Sequence, residues 1–107
     1  MIQLAISDHA VERAKERAGW NRSSLGRMLD RIFYNGISTD TPCRKIRGFL
    51  LGYQTQDLSR FARAYGEHVF LFRRGSQRDE AILVTVLQLP HELRLAAHEA
   101  KRLAYAA

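Results

Sequence analysis

The chain has a single cysteine, Cys43. No internal disulfide framework is possible, and a lone thiol fits a reducing compartment. No stretch is both long and apolar enough to span a bilayer. Phe49 to Tyr53 and Ala81 to Leu87 are core-length pieces only, so no membrane partner is expected. The opening Met1-Ile2-Gln3-Leu4 lacks the positive and apolar regions of a signal peptide, and the expected location is cytoplasmic. There is no glycine-rich phosphate loop. His91 and His98, flanked by Glu92 and Glu99, stand seven apart and miss the His-Glu-x-x-His zinc spacing. Neither a metal nor a cofactor is expected. Repeats and low-complexity tracts are also lacking, and 107 residues make one domain, 1–107.

Positive charge is what the chain does have. Seventeen Lys and Arg face eleven Asp and Glu, for a net charge of +6 and a pI near 10.1. Residues 1–78 carry fourteen bases and seven acids, and residues 79–107 carry three and four. Fourteen of the bases are arginine. The guanidinium is a planar fork that grips phosphate in two places and stacks on bases, so the bias suits a nucleic acid. An acidic protein would satisfy the same charge.

The order of elements follows from periodicity. Ile2 to Ile6 alternates weakly and reads as a short strand or a lead-in. Ser7 is a good N-cap for a first helix that Gly19 ends. A second helix carries Leu25, Met28, Leu29, Ile32 and Phe33 at helical spacing and stops at Asn35-Gly36. After the loop 37–42, Ile46, Phe49, Leu50 and Tyr53 predict a short third helix, although Gly48 and Gly52 weaken it. Strands follow: Arg60 to Tyr65, a Gly66-Glu67 turn, and His68 to Arg73. After the loop 74–79 comes Ala81 to Leu89, again strand. Pro90 opens a last helix from His91 to about Ala106. The expected fold is α+β. Two or three N-terminal helices pack on a small antiparallel β-meander of three to four strands, closed by a C-terminal helix.

The first helix has two faces. Ala10, Val11, Ala14 and Ala18 gather on one side, and His9, Arg13, Glu16 and Trp20 on the other. The second set can bind a phosphate and move a proton, and a solvated helix face can carry the same residues.

The opening Ser-Asp-His-Ala-x-x-Arg-x-x-x-Arg (Ser7 to Arg17) is joined by Val69-Phe70-Leu71-Phe72 and by the run Ile82 to Pro90 containing Thr85-Val86. Together they resemble small phage- and mobile-element-encoded proteins that look like relatives of the barnase/EndoU/colicin/RelE group of ribonuclease toxins. The resemblance implies two N-terminal helices on a four-stranded antiparallel sheet. It also implies an active surface that joins first-helix residues to polar residues of the sheet, without metal. His9 and Arg13 match the helix positions and Thr85 the last-strand hydroxyl. The segment 43–57 and the long C-terminal helix depart from the pattern.

Metal-free RNA cleavage uses the neighbouring 2′-OH as nucleophile, a base and an acid for the two protons, and cations on the phosphorane. His9 has a suitable ordinary pKa for acid or base, with His68 as second proton carrier. Arg13 and Arg17 could hold the phosphate, and Glu16 could be the base or orient Arg13. Tyr65 could stack on a base. Arg63, Arg73 and Arg74 complete the expected contacts to nucleic acid. The first reading is a metal-independent ribonuclease or ribonuclease-like toxin, with an antitoxin as possible partner. The alternatives are a non-catalytic RNA- or DNA-binding protein and a phage accessory protein that binds an acidic host protein. No residue pattern specifies an oligomeric state.

Overall fold

The computed structural model describes residues 2–106, with side chains to Arg102. The order is β1 (Gln3–Ile6), α1 (Asp8–Ala18), α2 (Arg22–Asn35), α3 (Arg44–Gln56), β2 (Arg60–Tyr65), β3 (His68–Arg74), β4 (Glu80–Gln88) and α4 (His91–Ala106). The α+β arrangement and the β2–β3–β4 meander are as the sequence predicts. The Ile2 to Ile6 segment, read as a short strand or lead-in, forms β1 as a fourth strand, but it pairs parallel to β4, so the sheet is mixed rather than wholly antiparallel, in the order β1-β4-β3-β2. None of the described helices is long and apolar enough to cross a membrane.

The sheet separates two cores. On one face, Ala10 and Ala14 of α1 and Leu25, Leu29, Ile32 and Phe33 of α2 pack on Phe70, Phe72, Ala81, Leu83 and Val86. On the other, Ile46 and Leu50 of α3 and Ala97 of α4 pack on Ala62, Ala64, Val69 and Leu71. β3 and β4 are the inner strands, which is why both read as apolar on both faces. The third N-terminal helix therefore covers the face opposite to α1 and α2.

Local chemistry sets the ends of each element. Ser7 Oγ accepts from the Ala10 N–H at 3.0 Å and caps α1. Gly19, at φ 72°, ends α1 in the left-handed region, where the Trp20 N–H reaches the Ala14 carbonyl. Trp20 then folds back to stack on Phe70 at 5.8 Å. It belongs to the core rather than to the polar face of the first helix. Gly66 at φ 61°, with no positive φ at Glu67, gives the expected hairpin turn with glycine first.

Gly36 stops α2 for a different reason from Gly19. Its backbone is extended, and a side chain there would press on the Ile32 carbonyl and stand 3.0 Å from Arg63 Cβ. In α3, by contrast, Gly48 faces open space. Gly48→Ala is expected to stabilise the fold by about 1 kcal/mol through helix propensity. Gly36→Ala is expected to destabilise it by about 1–3 kcal/mol through overpacking. Denaturant unfolding of the two variants checks the opposite signs.

Candidate functional site

β1 is four residues long and β4 nine, so the outer edge of β4 runs on beyond its strand partner. Residues of α1 take over there. The Ser7 N–H donates to the Leu83 carbonyl at 3.0 Å, Ser7 Oγ to the Val84 carbonyl at 3.1 Å, and Arg17 Nη1 to the Val86 carbonyl at 2.8 Å. His68 Nε2 donates to the Arg17 carbonyl at 3.0 Å and satisfies one of the open carbonyls of the α1 C-terminus. Arg17 and His68, expected at the phosphate and the proton, hold α1 to the sheet.

His9 is exposed in the first turn of α1. Arg13 Nη1 donates to Glu16 Oε2 at 2.7 Å, an i,i+3 ion pair on the solvent face of α1. His68 sits by Arg17, eight residues further along α1 than His9, a rise of about 12 Å. The two histidines lie towards opposite ends of the helix.

Thr85 lies across the sheet from them. A bulge between Leu71 and Phe72 in the β3–β4 register leaves Val84 without a partner, pairing Phe72 with Leu83 and Leu71 with Thr85. Paired residues share a face, and Leu71 belongs to the α3/α4 core while Leu83 and Val86 belong to the α1/α2 core. Thr85 therefore points away from α1, and the grouping of Thr85 with His9 and Arg13 is not formed.

The face that carries Thr85 is partly open. α3 packs on β2 and α4 on α3, which leaves Gln3 and Ala5 exposed and Ile82 and Thr85 half-exposed. Register runs Ala5, Ile82, Arg73 and Arg60 across four strands. Arg60 and Arg73 thus stand directly opposite each other, an arrangement that ordinarily destabilises a sheet. Asp57 lies beside them, with Oδ2 3.6 Å from Arg60 Nε. Hydrogen bonds from the Ser59 N–H and hydroxyl hold the Asp57 carboxyl below its ordinary range, and the charges of Arg60 and Arg73 add to this.

The other expected contacts divide between two places. Arg63 is half-buried between the rings of Phe33 and Phe61, 5.4 Å from each, and donates from Nε to the Phe33 carbonyl and from Nη1 to the Ala62 carbonyl. Burial lowers its pKa and Asp40 opposes the shift. It closes the C-terminal end of α2, and its edge lines a cleft of about 410 Å³ shared with Arg74, Arg60 and Arg78 and with Asp40, Asp79 and Glu80. Tyr65 packs on the α1/α2 core and lines a second cleft at the hairpin end of β2. Sequence reading missed Arg60, although strand alternation set it on the face opposite Arg63. It also missed Arg31, Arg94 and Lys101, which no sequence spacing connects.

Comparisons with protein-family models, curated proteins and solved structures find no match to this chain.

Two outcomes follow from these contacts. Arg17→Ala is expected to cost about 1.5–3 kcal/mol, the range for a hydrogen bond involving a charged group, read by urea unfolding. A depressed carboxyl contributes stability above its unfolded pKa, near 3.8 for Asp57, and loses it as pH falls through the lower folded value. Asp57→Asn should therefore flatten the stability curve in that acid window, measured by thermal melts from pH 5 to pH 2.

Proposed function

We propose that this chain binds RNA on the open sheet face formed by β1, β4 and the end of β3. The observation that carries the reading is the exposed Arg73 at the end of β3, in cross-strand register with Ile82 and Ala5 of the uncovered strands and with Arg60 of β2. Asp57 offsets part of the like-charge cost of the Arg60–Arg73 pair, and a polyanion bound over the exposed Arg73 would add to that relief. Thr85, on the same face, offers a hydroxyl to phosphate or sugar, and arginine planes stack on splayed bases.

Binding is favoured over cleavage because the expected acid, base and phosphate grip do not converge. His9 and Arg13 belong to the opposite layer from Thr85, and His68 is engaged with the Arg17 carbonyl. The ribonuclease reading rests on the exposed His9 with Arg13 one turn away, and the same experiment addresses it.

Wild type, Arg73→Thr and His9→Ala are incubated with total RNA in EDTA, scored for ends, and titrated with a single-stranded oligoribonucleotide across salt. Arg73→Thr is expected to weaken RNA binding and to reduce the salt slope by roughly 0.7, one phosphate contact. Unchanged RNA affinity in Arg73→Thr would remove the open face from the reading. Wild-type cleavage to 2′,3′-cyclic phosphate ends, lost in His9→Ala, would establish the ribonuclease instead. Tighter binding to single-stranded DNA than to RNA would change the polymer.

A further inference from the structure

A cleft of about 700 Å³ opens at the other end of β2, where α2, the β2–β3 hairpin and α4 meet. Its size is that of a small-molecule site. Arg31 comes from α2, Arg94 and Lys101 from α4, and Glu67 from the hairpin turn. Among these four side chains, three cations and one carboxylate leave two positive charges. These cations are poorly satisfied. Arg94 Nε is buried without an acceptor, and Glu67 Oε1 stands 3.8 Å from Arg94 Nη1, beyond hydrogen-bond reach. Among the described residues no carboxylate pairs with Arg31 or Lys101, and Lys101 Nζ rests 5.9 Å above the Tyr65 ring. Leu95, 74% exposed, adds an apolar rim.

We infer that this cleft binds a phosphate monoester carried on a nucleoside. A monoester carries about −1.5 to −2 charges at pH 7, which matches the surplus of two, and it presents acceptor oxygens to guanidinium and ammonium donors. The Tyr65 ring and Leu95 offer apolar surface to the base. A backbone diester, with one charge, would leave the cleft half neutralised. The site is about 17 Å along β2 from Arg60, at the strand rise of about 3.3 Å per residue. It is independent of the RNA reading above.

The monoester has two sources, a free mononucleotide or a nucleic-acid end, and the test separates them. Calorimetric titration with AMP and with adenosine is run on wild type, Arg31→Ala, Lys101→Ala and, as a control for lost charge elsewhere, Lys45→Ala. All four are checked for native circular dichroism. AMP should bind at least tenfold more tightly than adenosine. Arg31→Ala and Lys101→Ala should each lose at least tenfold towards AMP, and Lys45→Ala should match wild type. A second arm compares one short oligoribonucleotide with a 5′-phosphate and with a 5′-hydroxyl. A preference for the phosphate that disappears in Lys101→Ala assigns the site to a nucleic-acid end, and its absence beside tight AMP binding assigns it to a free nucleotide. Equal binding of AMP and adenosine, or AMP binding indifferent to Arg31 and Lys101, overturns the inference. Neither result depends on whether Arg73 contacts RNA.

Discussion

The structure depends on how the outer edge of β4 is completed. β1 supplies a partner only as far as Leu83. Past that point, carbonyls of an inner strand would face a packed helix with no donor, each at a cost of about 1–3 kcal/mol. Ser7 and Arg17, about ten residues apart at the two ends of α1, reach the Val84 and Val86 carbonyls. α1 thus serves as both a core layer and the missing stretch of strand. Its direction along β4 is fixed at two points, and His68 and the Trp20–Phe70 stack fix its far end again. The basic character of this helix, read in isolation, looks like a ligand surface. Part of it is wiring to the sheet.

With α1 fixed, the sheet divides the polar residues into sets that cannot share a ligand. His9, Arg13 and Glu16 stand outside the α1/α2 layer, while Arg60, Arg73 and Thr85 stand on the reverse face. The hairpin-end cleft belongs to neither, because it lies at the exposed edge of β2 between the helical layers. An Ile37–Ala64 bridge covers part of this edge, and it leaves the hairpin end accessible. Charge that looks diffuse along the chain is therefore gathered into separate surfaces.

Much of the architecture was legible. The spacing of Leu25, Leu29, Ile32 and Phe33 predicts the buried stripe of α2, and all four are buried. α3 forms despite two glycines because Ile46 and Leu50, one turn apart, pack on Ala62 and Val69. β1 is too short to show a clear period, and its parallel partner lies some 77 residues away in sequence. The candidate sites were harder to read. Arg17 and Arg63 are the same residue type as Arg73, and only the carbonyls within their reach mark them as structural. Arg94 and Lys101 acquire meaning only when α4 lies beside Tyr65.

The bulge at Val84 has a wider consequence. In a strand, face is a matter of parity, and one inserted residue exchanges odd for even. Before the bulge, odd-numbered Ala81 and Leu83 meet α1 and α2; after it, even-numbered Val86 does. β4 therefore carries two reading frames joined at one residue. The first half stays in phase with β1 and the second with the hairpin end of β3. Thr85 is the first residue read in the new frame, so it stands opposite Leu71 on the open face rather than beneath α1.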